Sequence, residues 1–430
     1  MPILDRDKTY ATLLHLDESP EKYALFTALC AVIILQPEIL EEPSIPGHPI
    51  NHSTWNQNIS SDDLIRETVR ARQFCNYIES PTLTTVQTSF FLFAALFCLG
   101  KDNSAWFYIR EAMTILQVLR LHEESTYTSL QDESQTAFSR RTFWLLFITE
   151  RAYALQRHRP LTLQRTISLP QVAPGAESKI LSGFLDLVSL FQNFDDDFLS
   201  LWNISNSNKD SATSPQSLIQ LQNILKFAIP NVAERTEIQQ ADLLVSRQWL
   251  KTMVWQLCVT KRLLSSNSSN ESMSFHYPIT IAREVVLVSR LLSPKAFEAN
   301  GIGILEKVFD IGCSLADVLL LHPKYVSLSG MEIGPKDYLM ELVRVLGTAG
   351  QHSSGSERFL RVLTGKADEC LGVRLRGNLS ESEDSRRVEE VDDDKDDNAL
   401  DHWEVGQTRD SFSATSEWET IIGLDQNSHD

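Results

Sequence analysis

An all-α fold, one large domain of packed antiparallel helices, is expected from three observations in this 430-residue sequence. No Gly or Pro interrupts Asp132 to Arg159, which predicts one long helix ending before Pro160. Trp106, Ile109, Met113 and Leu116 recur at spacings of three and four, the stripe of a helix buried on one face. Runs of this kind are separated by prolines such as Pro37, Pro81 and Pro230 and by the polar stretch SSNSSNES.

Taken in order, Leu4 to Leu16 and Lys22 to Gln36 read as helices, the second opened by Ser19 or Pro20 and stopped by Pro37. The segment Pro43 to Asn58, with Pro43, Pro46, Gly47 and Pro49, reads as a loop. Ser61 is then expected to cap a helix to about Ile78, with Leu64, Ile65, Thr68, Phe74 and Ile78 forming its apolar stripe. Leu83 to Leu99 and Ser104 to about Leu121, joined by the short loop GKDN, predict an antiparallel helical hairpin.

The long helix follows. Asp132 with Gln135 makes a plausible capping box, and Phe143 to Ile148 is apolar on every face, which suits a helix enclosed by others. Asp132 and Glu133 open it while Arg151, Arg157 and His158 lie toward its end, the polarity that the helix macrodipole favours. After Pro170 a looser stretch leads into the segment Ile180 to Asn203, and Asn203 to Ser217 reads as a flexible polar insertion or the seam between two halves. Helices are predicted again from Ser217 to Ala228 and from Thr236 to about Leu264. Beyond Gly365 the apolar periodicity fades, so the domain is placed at residues 1–372 and a tail at 373–430.

Charge divides the chain in the same way. From Ser380 onward 17 Asp and Glu stand against 4 Lys and Arg, a net of −13, which leaves only −5 of the total −18 to the rest. A nearly balanced body lacks the clustered cations that nonspecific nucleic-acid binding requires. The acidic tail has too few aliphatics to offset the entropy of ordering, and disorder is expected there. Within it Trp403, Phe412, Trp418, Ile421, Ile422 and Leu424 reappear among acids. Such interleaving marks either an activation segment, in which charge keeps aromatics exposed for a partner groove, or an inert solubilising extension.

Several function classes find no support. The apolar runs Ala24 to Leu35 and Phe90 to Leu99 fall short of the ~20 residues of a membrane span and read as core helices, so no membrane association is expected. The start of the chain has no secretory-signal pattern. Phosphate-cradling Gly-rich loops, HExxH and GxSxG are missing, and no enzyme activity is expected. Cys30, Cys75, Cys98, Cys258, Cys313 and Cys370 are widely separated, so no local zinc site can be drawn; Cys30, Cys98, Cys258 and Cys313 sit in apolar helical runs, where free Cys packs as a small hydrophobe. Asp195, Asp196 and Asp197 read as a solvated turn or helix start rather than a cation site, because neighbours on a helix do not share a face. Arg157, His158 and Arg159 can bind an anion, or cap carbonyls and pair with nearby carboxylates.

The run RRTFWLLFITERAYALQRHRPLTL resembles the hallmark segment of the fungal-specific transcription factor domain, the regulatory middle region of Zn2Cys6 binuclear-cluster regulators, most closely the branch that controls maltose and starch use. TSFFLFAALFCLGKDNSAWFYIREAMTILQVLRLH, QQADLLVSRQWLKTMVWQLC, FHYPITIAREVV and LEKVFDIGCSLADVLL are similar to further segments of that family, in the same order. Where the family closes the hairpin with Gly-Leu-His, this chain has Arg120, read as a different C-cap. The resemblance implies a nuclear transcription regulator, activator or co-regulator, of a metabolic gene set or biosynthetic gene cluster. Its partners would be other regulators and the transcription machinery, as a homo- or heterodimer, although no sustained heptad run supports a coiled coil.

The family's zinc cluster and its basic DNA reader match nothing in these residues, so no zinc cofactor and no DNA-binding residue carries over, and DNA would be reached indirectly. A natural regulator lacking a reader, a truncated gene and a chain missing its first domain all remain open. The alternative reading is a helical scaffold that sequesters a regulator.

Overall fold

The computed structural model describes residues 2–36, 59–175, 177–203, 214–265, 270–321, 333–350 and 355–372. Among these the fold is all-α, sixteen α-helices and no strand. The loop expected at 43–58, most of the seam at 203–217 and the acidic tail lie outside the described residues.

The first group of helices forms around the predicted hairpin. α1 (Arg6–Leu13) is followed by a single 3-10 turn, so the helix expected to reach Leu16 is shorter. α2 (Pro20–Leu35) is capped by the Ser19 hydroxyl and carries Pro20 where its missing N–H costs nothing. α3 (Ser61–Arg72) opens with a complete capping box of Ser60 and Asp63, one residue earlier than expected. It also ends earlier, because Gln73, Phe74 and Cys75 close tight i→i+3 turns and Arg72 turns inward to Glu111, 2.5 Å away. The stripe therefore breaks: Ile65 and Thr68 are buried, whereas Phe74 and Ile78 are two-thirds exposed. α4 (Leu83–Cys98) packs on α2 and along α5 (Asp102–Val118), burying Ile109, Met113 and Leu116 as the spacing predicts.

After α6 (Glu124–Ser129) comes the long helix α7 (Glu133–Arg157), with Asp132 accepting the Ser134 and Gln135 N–H groups at 2.9 and 3.2 Å. Phe143, Trp144, Leu146, Phe147 and Ile148 are all buried, as expected of a helix with neighbours on every side. It touches α4 and α5 on one flank and α8 (Ser178–Phe191) and α9 (Asp196–Asn203) on the other. The segment 180–203 thus holds two helices, separated where the Asp195 carboxylate caps the Phe198 N–H at 3.0 Å, the helix start that the aspartate run suggested.

The second group comprises α10 (Pro215–Phe227), α11 (Glu237–Thr260), α12 (Tyr277–Leu291), α13 (Pro294–Glu298), α14 (Gly301–Leu321), α15 (Pro335–Ala349) and α16 (Ser356–Leu371). α11 starts at a capping box of Thr236 and Gln239 and runs through the middle of this group, touching α8, α10, α12, α13 and α14. Trp249 and Trp255 are fully buried on it, each worth roughly 2–3 kcal/mol of apolar burial. Trp249 Nε1 donates to Asp310 on α14 at 2.9 Å, which satisfies the polar end of the ring. α16 continues past Gly365 to Leu371, because Leu363 and Ala367 pack on α14 even though the sequence pattern weakens there. Of the cysteines expected in the core, Cys98 and Cys258 are buried, Cys313 is half-buried and Cys30 is exposed.

Helix ends explain one mismatch. After α5, Leu121 N–H bonds the Leu116 carbonyl at 3.1 Å and Arg120 N–H the Gln117 carbonyl at 2.9 Å, the paired closure of a Schellman motif. Arg120 has φ 56°, so the turn is the left-handed one that Gly favours, occupied here by Arg and not replaced by another cap. Arg262 closes α11 in the same way, with φ 56°.

Candidate functional site: a strap clamped on the long helix

The chain leaves α7 through His158, at φ 51°, and residues 159–170 return as an extended strap along the helix they have just left. An extended segment without a sheet partner must find other groups for its backbone, and here side chains of α7 supply them. Glu150, 1% exposed, accepts the Thr162 N–H at 2.8 Å and hydroxyl at 2.5 Å through Oε1, and the Leu163 N–H at 2.9 Å through Oε2. Arg151, 2% exposed, donates to the Leu163 carbonyl at 3.1 and 3.2 Å and to the Phe147 carbonyl at 3.3 Å. Its guanidinium lies 3.4 Å from the Phe147 ring centre.

Farther along, Trp144 Nε1 and Arg140 Nη1 both donate to the Ser168 carbonyl at 3.0 Å. Glu124 accepts the Ser168 N–H at 2.6 Å and pairs with both Arg140 terminal nitrogens at 2.7 and 2.9 Å. The helix therefore reads peptide groups of the strap at two stations about two turns or more apart, Arg140 with Trp144 and Glu150 with Arg151.

The charges of this unit are set by burial and by their partners. Burial pushes the Glu150 carboxyl up, against which the Thr162 and Leu163 bonds hold the charged form. Burial likewise brings Arg151 down to about 10. Glu124, nearer the surface, is held down at about 2 by its hydrogen bonds to Arg140.

The end of α7 connects to the second helical group. Arg157 pairs with Glu306 of α14 at 2.5 Å and with Asp102 of α5 at 3.2 Å, while the Tyr153 hydroxyl donates to the Asp102 carbonyl at 3.0 Å. Glu306 is 4% exposed and its Oε2 has no hydrogen bond among the described residues; burial pushes its carboxyl up and Arg157 opposes that. Nearby, Trp106 and Tyr153 stack at 5.7 Å and 8°.

This geometry decides between the two readings of Arg157, His158 and Arg159. The three do not converge: Arg157 faces carboxylates, His158 stacks on Trp202 at 5.4 Å and 8°, and Arg159 lies 5.3 Å from the Trp106 ring. The charge polarity noted along α7 likewise has another origin, since Arg151 and Arg157 engage the strap and α14. The aspartate run is a helix start, Asp195 capping α9 and Asp196 accepting the Gln164 amide. Among the described residues no group of three or more His, Cys, Asp or Glu side chains could hold a metal ion, and no helix is long and apolar enough to cross a membrane. Trp403, Phe412, Trp418, Ile421, Ile422 and Leu424 lie outside the described residues.

Sequence reasoning assigned no role to Glu150, although a signal was present. A Glu-Arg pair inside a helix apolar on all sides must be partnered, because burying either charge alone costs several kcal/mol, on the order of 3–5.

Comparison with known proteins agrees with the hallmark run. Residues 48–257 match the family model described as the fungal specific transcription factor domain. The chain is 29% identical over 308 residues to a probable sucrose utilization protein of Candida albicans, covering 70% of this chain and 58% of that protein. It is 24% identical over 323 residues to a maltose fermentation regulatory protein of Saccharomyces cerevisiae, covering 74% and 64%. A respiratory transcription factor of the same yeast is 24% identical over 210 residues, covering 49% and 44%. The matched region is thus less than two-thirds of each relative's length. No solved structure matches the chain.

Proposed function

We propose, from the match of residues 48–257 to the fungal specific transcription factor domain, that the chain is a nuclear regulator of transcription for a metabolic gene set, sugar utilisation being the first to examine. The observation that carries the proposal is the match over residues 48–257, which includes all of α7 and its strap and is to a regulatory domain, not an enzyme. The helical body, residues 1–372, receives a signal from a small molecule or a partner. The acidic tail, residues 373–430, contacts the transcription machinery through Trp403, Phe412, Trp418, Ile421, Ile422 and Leu424. No zinc-cluster pattern is present in these 430 residues, so no metal is assigned to them, and promoters are reached through a DNA-binding partner or through a reader outside this sequence. Dimers with its own kind or with a second regulator fit the same scheme.

Promoter occupancy of the tagged chain in its own cells, with and without Ser380 to Asp430, tests the reading. Occupancy retained by the shortened chain with lost transcript output places activation in the tail. Absence of occupancy under every growth condition overturns the regulator and leaves a sequestering scaffold.

A further inference from the structure

α12 presents an outward face that the described residues leave open. Its inner side packs on α11, α14 and α15, with Ile281, Ala282, Val285, Val286 and Val288 buried. On the other side Arg283, Leu287 and Leu291 recur four residues apart, with Arg290 beside them. Leu287 is 52% exposed and Leu291 80%, and both arginines are exposed.

The face is also short of negative charge. Arg283 makes no ion pair or hydrogen bond among the described residues. Arg290 lies near Glu341 of α15 without bonding it, because Arg344 holds that carboxylate at 2.6 and 3.0 Å. Glu284, the one acid of α12, accepts from Gln248 and has the Lys251 ammonium at 3.7 Å. Glu271, ahead of the helix, accepts the Thr280 hydroxyl at 2.5 Å. Arg247 and Lys251 of α11, Lys226 of α10 and Arg344, together with Arg283 and Arg290, thus stand against Glu271, Glu284 and Glu341. Past the end of α12, Lys295 meets Glu237 and Glu298 around a cavity of about 280 Å³, so the surplus belongs to the side of the helix and not to that cavity.

The tail holds a segment of opposite character. No Lys or Arg follows Arg409, and Trp418, Ile421, Ile422 and Asp425 fall at the i, i+3, i+4 and i+7 positions of one helical face, with Glu417 and Glu419 alongside. An apolar stripe edged by acids suits an apolar stripe edged by cations. We propose that residues 417–425 dock on the outward face of α12, Trp418, Ile421 and Ile422 covering Leu287 and Leu291 and the neighbouring carboxylates meeting Arg283 and Arg290.

Size selects the chain's own tail over a separate protein. Two leucines and two arginines fall far short of the ~800 Å² per partner of a stable interface between proteins, whereas a tethered segment acts at an effective concentration of about millimolar. Residues 373–417, at ~3.3 Å each, can span far more than the ~22 Å length of α12. A second copy is disfavoured, because facing α12 helices would gather four arginines while Glu284 and Glu341 are already engaged. Val69 and Phe74 of α3 are also exposed, but Arg66 and Arg70 there pair with Asp63 and Glu67, which leaves no charge for an acidic segment. In the regulator reading, on which only this consequence rests, docking withholds from the transcription machinery the side chains assigned to contact it.

Photo-crosslinking of the purified full chain, with benzoylphenylalanine in place of Leu291, tests the docking. The expected result is a crosslink from position 291 to residues 417–425, located by peptide mass spectrometry in a band of single-chain mass. Arg283→Glu with Arg290→Glu lowers the yield several-fold, and adding Glu417→Arg with Glu419→Arg restores it. Salt at about 0.5 M also lowers the wild-type yield, since the paired charges are exposed. All four substituted side chains lie outside the core of the described fold, and an unchanged thermal transition verifies that each variant is folded. No crosslink to residues 417–425 overturns the proposal, as does a yield indifferent to charge reversal. A crosslink found only at twice the chain mass overturns the intramolecular assignment, and an equal yield from the same probe in place of Phe74 overturns the assignment to α12. The crosslink is read on purified protein and promoter occupancy in cells, so either reading can fail while the other stands.

Discussion

The carboxylate of Glu150 accepts the Leu163 N–H at 2.9 Å while the guanidinium of Arg151 donates to the Leu163 carbonyl at 3.1 Å, so two successive residues of α7 hold the donor and the acceptor of one strap residue. Neighbours on a helix point about 100° apart, and the strap passes through the angle between them.

Glu150→Gln is expected to destabilise the protein by ~2–3 kcal/mol, because the new amide nitrogen confronts strap N–H groups that need an acceptor. Urea unfolding measures the loss, and hydrogen exchange at Thr162 and Leu163 locates it. Unchanged protection at both amides would show that the carboxylate does not hold the strap.

Arg157→Met leaves Glu306 buried beside no cation and is expected to cost ~3–5 kcal/mol. Arg157→Met with Glu306→Met removes both charges and is expected to recover most of that. A double-mutant cycle by chemical denaturation checks it, and additive losses would mean that the pair does not couple α7 to α14.

Arg262 sits in the left-handed region without structural need for its side chain, which is exposed. Arg262→Gly is expected to gain ~0.5–1 kcal/mol, the steric cost relieved less the entropy Gly adds to the unfolded chain. Arg262→Ala, with a Cβ still in place, is expected to gain nothing. Arg120→Gly gains less, since it also removes the bonds from Arg120 to Glu123 at 2.7 and 3.1 Å.

Glu124 is held at about 2, below its unfolded value, so its contribution is complete above pH ~4.5 and is lost as the pH falls toward 2. Its side chain is 43% exposed, and solvent screening limits the contribution to on the order of 1 kcal/mol. The stability difference between the wild type and Arg140→Met is therefore expected to shrink between pH 6 and pH 2.5. A constant difference across that range would remove the ion pair as its source.

The α4–α5 hairpin and α7 were legible in the sequence because each carries its information locally, as spacing, caps and an apolar middle. Phe74 and Ile78 were misplaced for the converse reason: α3 stops where Arg72 meets Glu111, 39 residues away, and no local pattern encodes that partner. Glu306 and Arg157 are 149 residues apart, and each alone reads as an ordinary surface charge. Arg283, Leu287 and Leu291 were legible in principle, recurring four apart, but that this stripe faces outward is decided by packing against α11, α14 and α15. Arg120 was misread because the geometry persisted while the residue that usually marks it did not.

Much of the grip on the strap falls on peptide groups at Thr162, Leu163 and Ser168, which every residue type but proline carries in full. Mutational tolerance should therefore be lopsided across this unit. Substitutions at an exposed strap position such as Arg165 leave the attachment intact, whereas Trp144, Glu150 and Arg151 each serve bonds that no replacement reproduces. A lineage can diversify the strap's outward side chains, and with them whatever surface it presents, while the helix beneath stays fixed.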